Sequence, residues 1–162
     1  MSISCAKCNS CSLGIKLRKS DEQVPVLGES HKNGRIAIVG DFPGTHETSE
    51  GRPFVGPSGH ELQAALDEAG LKRSDCLITN AIACRPPANR LDTFMVQHSR
   101  ANKKRKSEKK ELLLSPAEAC SGRLMSELEG YTQIICLGTE AARAVRGGNA
   151  SIMSMRGACE EI

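Results

Sequence analysis

Aromatic side chains are almost absent from this chain of 162 residues: they make up 2% of it, tryptophan is missing, and Phe42, Phe54, Phe94 and Tyr131 complete the set. A core built on aromatic rings is thereby excluded; the length suits one domain, and its core must be aliphatic. Long hydrophobic runs are lacking too. No stretch approaches the roughly 20 apolar residues that a membrane-spanning helix needs, and Met1-Ser2-Ile3-Ser4-Cys5 has none of the features of a secretory signal peptide. The expectation is a soluble, cytoplasmic protein with no membrane partner. The same absences argue against a secreted disulfide scaffold despite eight cysteines, so reduced, metal-binding thiols are the better reading. Strong net charge is also missing. At +3, affinity for nucleic acid must come from a local patch and not from the overall field.

Organisation follows from composition and periodicity. Residues 1–34 are polar and rich in cysteine, glycine and charge, with Val24–Leu27 as the only possible strand, and read as a metal-stapled arm with no core of its own. Residues 35–162 alternate: strand Arg35–Val39, helix from about Gly59 to Ala69, strand Leu77–Ala81, helix Pro116–Leu128, strand Gln133–Leu137, helix Thr139–Arg146. Such alternation predicts an α/β domain with a parallel sheet covered by helices. Ser58, Ser115 (with Pro116 and Glu118) and Thr139 are the expected caps of the three helices. Between about 91 and 115 the composition turns basic, with Lys103, Lys104, Arg105, Lys106, Lys109 and Lys110 nearly continuous. This reads as an exposed insertion. It is either a solvated loop or helix face, or a phosphate-contacting patch beside the candidate site, sequence-blind and salt-sensitive.

The segment Gly40–Gly59, GDFPGTHETSEGRPFVGPSG, is the most specific in the chain. It follows the apolar run Arg35–Val39, and ligands of open α/β sheets bind where strands end. Gly40, Pro43 and Gly44 fix a tight backbone whose amides can face a planar ligand. Phe42 and Phe54 lie inside this loop system, a placement that an apolar core does not require and that base stacking uses. The cysteines form a second constellation. Cys5, Cys8 and Cys11 stand at C-x-x-C-x-x-C spacing, with Cys84 and Cys120 as distant candidates. Four thiolates suffice for zinc or for a cubane cluster, and spacing alone does not choose between them. Cys136, inside Ile134–Leu137, reads as a core thiol; Cys76 and Cys159 have no partner by sequence.

Taken in order, CNSCSL, GDFPG, EGRPFVG, LITNAIACRPPANR and IICLGTEAA resemble the family 4 uracil-DNA glycosylases, the iron–sulfur members of the uracil-DNA glycosylase superfamily, over nearly the whole chain. The resemblance implies a three-layer αβα sandwich with a short central parallel sheet. It also implies a [4Fe-4S] cluster on Cys8, Cys11, Cys84 and Cys120, with Cys5 as an extra thiol, and makes the basic segment an insertion between cluster ligands. A zinc-stabilised nucleic-acid-binding domain would share the cysteines but leave Phe54 and Asn80 unexplained.

The reaction implied is hydrolysis of the N-glycosidic bond of uracil in DNA after the base is flipped out. By resemblance, Phe54 stacks on the uracil and Asn80 reads its polar edge, an amide supplying both donor and acceptor. Gly40 and Phe42 contribute to the pocket, and Asp41 replaces the usual glutamate as the residue that orients water or stabilises the cationic sugar. Gly44 leaves room where some superfamily members exclude the thymine methyl. The resemblance also implies a further strand and a His-Pro-Ser loop beyond SIMSMRG. The sequence stops at Ile162, and none of His31, His46, His60 and His98 precedes proline, so the last strand and part of the catalytic site are expected to be missing. Either another polypeptide completes them, or the chain is truncated, or it is a catalytically impaired module that binds DNA or a replication or repair protein.

Overall fold

The computed structural model of the chain describes residues 7–18, 25–30, 34–148 and 157–158, so Cys5, Val24, His31 and Cys159 lie outside the described residues. Three strands, β1 (Ile36–Gly40), β2 (Cys76–Asn80) and β3 (Gln133–Leu137), form a parallel sheet in the order β2-β1-β3. Registry sets Gly40 beside Asn80 on one side and Leu137 on the other, so all three strands end level.

The pleat divides each strand between two layers. Ala37, Val39 and Leu77 face α5 (Pro116–Leu128) and α6 (Thr139–Arg146), packing with Leu124, Leu128 and Ala141. Ile38, Cys76 and Ile78 face α3 (Pro57–Glu68), packing with Leu62 and Leu66 one turn apart. The sandwich is therefore αβα, with β1 and β2 buried between helices and the edge strand β3 partly exposed at Ile135 and Leu137. No described helix is long and apolar enough to cross a membrane.

Two caps differ from the sequence expectation. Helix α3 starts two residues earlier than Gly59, with Gly56 as N-cap and Pro57 at the first position, where a missing N–H costs nothing; Ser58 is already inside. Thr139 likewise lies inside α6, whose N-cap is Gly138. The cap group comes instead from Asp41, whose Oδ1 accepts the Ala141 amide at 2.9 Å. Helix α5 follows its sequence signature, Ser115 and Glu118 closing a reciprocal capping box.

The N-terminal arm does not stand apart. Its helix α1 (Ser12–Arg18) buries Leu13 and Leu17 in a third cluster, together with Ile82, Ala83, Ala119 and two residues of α4 (Leu91–Ser107), Leu91 and Phe94. Cys11 bridges to Leu114, which pins the arm to the segment entering α5. The expected strand at Val24–Leu27 is not one. Pro25–Gly28 have no strand pairing; proline lacks the donor, and contact with β2 is a single antiparallel bridge, Glu29 to Ile78. Nor is the basic segment a plain surface insertion. Its first half is the amphipathic start of α4, and Asn102 fastens the helix by bonds to the backbone of Leu113 in both directions.

Candidate functional site

The C-terminal ends of the strands open into a cleft of about 820 Å³, lined among others by Asp41, Phe42, Phe54, Asn80, Asn89 and Leu137. Its volume is that of a small-molecule site. Crossing from β1 to neighbours on both sides creates the crevice at this point. The five sequence candidates Gly40, Asp41, Phe42, Phe54 and Asn80 all come together here.

Gly40 is the pivot. A β-carbon on it would lie 2.5 Å from Asn80 Oδ1 and 2.6 Å from Phe54 Cζ, so only glycine lets the amide and the ring close over one backbone position. Asn80 is 3% exposed, a buried amide at a strand end. Phe54 has φ +51, a left-handed conformation that is an outlier for a bulky residue and is held only where the surroundings over-determine it. They do so here from three directions. Arg73 donates to the carbonyls of Pro53 and Phe54. Glu47 accepts the amides of Val55 at 3.0 Å and Gly56 at 2.7 Å. Gly59 leaves room for the Phe54 carbonyl, which a β-carbon there would overlap.

Glu47 and Arg73 are the residues that sequence reasoning missed. Glu47 stands three residues after Gly44 and accepts its amide as well, a spacing that signals a helix-start carboxylate; it closes α2 (Thr45–Glu50) onto the Phe54 loop. Arg73 carries no such signal. It lies in a turn before β2 and pairs with Glu29 of the arm, which also binds Arg52.

Burial disfavours the charge on Glu47, but the amides of Gly56, Val55 and Gly44 outweigh it and hold the pKa below the ordinary glutamate value. A carboxylate with a lowered folded pKa contributes stability that is present above its unfolded pKa and lost as pH falls through the folded one. Glu47→Gln is therefore expected to cost about 2 kcal/mol at neutral pH. That gap should shrink once the pH falls below about 4. Urea unfolding of both proteins at neutral and acid pH measures it; an equal gap at both would remove Glu47 as the charged clasp.

Asp41 behaves oppositely. Burial is the largest influence and raises its pKa, against the amides of Ala141, Glu140 and Thr139 that favour the ion. Its backbone is fixed by Ile82, whose amide donates to the Asp41 carbonyl at 3.0 Å. Asp41 is thus at once the cleft wall and the cap of α6. Cys136, half-buried beside it on β3, is also raised, first by burial and then by the Asp41 charge.

Behind the cleft, Cys8, Cys11, Cys84 and Cys120 share one apolar cluster, Cys11 and Cys120 each 5% exposed. They arrive from the arm, the loop after β2 and the first turns of α5. The Gly14 amide donates to Cys11 Sγ at 3.4 Å, a bond that favours the thiolate. Phe42 packs against the same cluster while lining the cleft. Four soft donors gathered from distant segments suit a thiophilic metal group, although no three described side chains already stand arranged to hold an ion.

The basic residues occupy the second half of α4 and the turn after it. Lys103 lies twelve residues into α4, about 18 Å along the axis from its start next to Asn89. Lys104 and Lys110 pair with Glu108 on the surface.

Comparison with known proteins agrees with this geometry. The model of the uracil DNA glycosylase superfamily matches residues 27–159. The type-4 uracil-DNA glycosylase of Thermotoga maritima is 41% identical over 54% of this chain and 43% of its own length. That of Pyrobaculum aerophilum is 45% identical over 51% and 40%, and that of Archaeoglobus fulgidus 32% identical over 88% and 59%. The chain thus spans only about half the length of the curated relatives it matches. With the strand-end cleft, the Gly40–Phe54–Asn80 convergence and these matches together, the chain belongs to the uracil DNA glycosylase superfamily, among its type-4 members.

Proposed function

We propose that this protein binds uracil-containing DNA and hydrolyses the N-glycosidic bond of the flipped uracil. The observation that carries the proposal is the convergence of the Phe54 ring and the Asn80 amide on Gly40 at the mouth of the cleft. A base extruded from the stack would lie against Phe54, stacking that is worth about 1–3 kcal/mol. Asn80 would pair with the uracil edge, its NH₂ donating to O4 and its carbonyl accepting N3–H; cytosine presents the reverse pattern. The bond from N1 to C1′ breaks with its electrons leaving on uracil, water oxygen adds to C1′, and the proton that the water gives up balances the one taken by the uracil anion, leaving free uracil and an abasic site. Asp41, as carboxylate, would face the cationic sugar or orient that water, and the Phe42 amide would face the departing base. Burial holds the Asp41 pKa above its ordinary value.

Cys8, Cys11, Cys84 and Cys120 would hold a [4Fe-4S] cluster, with zinc as the alternative occupant. When bound, that group ties the arm, the loop after β2 and α5 together and takes no part in the hydrolysis. Lys103, Lys104, Arg105, Lys106, Lys109 and Lys110 would meet phosphates, and the edge strand β3, with its exposed Ile135 and Leu137, would take an added strand from a protein partner.

The test is release of free uracil from uracil-containing single- and double-stranded oligonucleotides, read also as alkali-labile breaks, by anaerobically purified protein assayed for iron and sulfide. Release of uracil by a brown protein is expected. No release overturns the activity, and a colourless zinc protein overturns the cluster.

A further inference from the structure

Among the described residues, the mechanism leaves one buried cation unused. Arg123 of α5 has a side chain only 2% exposed and pairs with Glu127. Its Nη2 donates to the carbonyl of Asn80 at 2.6 Å and of Ala81 at 3.0 Å. Its Nη1 donates to Thr79 Oγ1 at 3.2 Å as well as to Glu127. Glu127 in turn accepts Thr79 Oγ1–H at 2.6 Å and the Gly28 amide at 3.2 Å. The guanidinium fork therefore grips three consecutive residues at the end of β2, the middle one being Asn80.

Elsewhere this side of β2 is held by backbone: the Glu29 bridge at Ile78, and the Val26 amide on the Ala83 carbonyl. Between them, at Asn80 and Ala81, the acceptors go to a side chain. A buried ion pair is weak evidence for stability, since well-packed apolar residues often serve a fold as well. Arg123 Nε is also buried with no hydrogen-bond partner among the described residues. Nη2 takes both carbonyls while Nη1 takes Thr79 and Glu127; a planar group with two donor arms fixes direction as well as distance, and the single nitrogen of lysine does not reproduce both arms.

We propose that Arg123 is a positioning residue for base recognition: by clamping the Asn80 and Ala81 carbonyls it fixes the strand end from which the Asn80 amide meets uracil. This rests on the assignment of Asn80 as the uracil-reading side chain. Arg123 touches no substrate and acts only through Asn80.

The experiment compares wild type, Arg123→Lys and Glu127→Gln by uracil-release kinetics and by the Asn80 side-chain amide signals in ¹H–¹⁵N spectra, assigned by their loss in Asn80→Ala, with folding checked by circular dichroism. Folded Arg123→Lys should lose about 10-fold in kcat with KM within about twofold, the pattern of lost transition-state alignment. Its Asn80 signals should move. Glu127→Gln keeps the fork and should lose less, with a smaller movement of the same signals. Unmoved Asn80 signals, or wild-type kcat in folded Arg123→Lys, overturn the proposal. If Arg123→Lys does not fold, Glu127→Gln decides by the same signals. If wild type releases no uracil, the enzymatic reading fails by itself, while the signals still judge the clamp.

Discussion

Asn80→Ala is expected to lower uracil release by about 10²–10³-fold, the usual loss when a preorganised polar group is removed from a closed site. Asn80 is 3% exposed and sits across from Gly40 in the strand register, so the amide that meets the uracil edge is a buried one. An unpaired polar edge in a buried pocket is what makes discrimination large. Asn80→Asp sharpens the test. An ionised carboxylate only accepts, so it mismatches O4 of uracil and suits the N4 amino group of cytosine. Release from matched uracil and cytosine oligonucleotides should therefore fall for the first and rise relative to it for the second. Folded Asn80→Ala that keeps more than about a tenth of wild-type activity would remove Asn80 from recognition.

Gly59→Ala should destabilise the protein by about 1–3 kcal/mol, as overpacking against a rigid neighbour does. Helix propensity alone predicts the opposite sign, since alanine is favoured over glycine by about 1 kcal/mol inside a helix. Geometry decides. A β-carbon at 59 overlaps the backbone carbonyl of Phe54, and that peptide cannot yield while Arg73 and Glu47 hold both of its sides. Either α3 lifts from the sheet or Phe54 leaves its strained conformation, so uracil release should fall with stability. Gly122→Ala is the control: it lies in α5 with nothing within 4 Å of an added β-carbon and should stabilise by about 0.4–1 kcal/mol. Thermal unfolding of the two variants compares them directly, and a Gly59→Ala protein at least as stable as wild type would refute the close approach.

Much of the fold is legible in local pattern. The bounds of α5, β3 and α6 agree with the sequence reading, because the runs Ile134–Leu137 and Ala119–Leu128 carry periodicities that only one element satisfies. The failures share a cause. Thr139 looked like a cap because the true cap group, Asp41, lies on another strand's end. Ser58 looked like one because Pro57 had already opened the helix. Leu91 and Phe94 were hidden in a basic segment, since two apolar residues at the head of α4 are outweighed in composition by the lysines at its tail.

By itself the sequence determined the chemistry on offer: the scarce rings, the thiols, the strand–helix alternation and the motifs that place the chain in its superfamily. It did so because residue type and short-range spacing are properties of the chain alone. Only the tertiary structure decided which groups share a site. It brought Phe54 and Asn80 onto Gly40 and gathered Cys8, Cys11, Cys84 and Cys120 into one cluster. It also spent Asp41 on α6 and set Arg123 on the Asn80 carbonyl. Those contacts join residues far apart in sequence, and their geometry is fixed by strand register and by packing across the sheet, neither of which any local window contains.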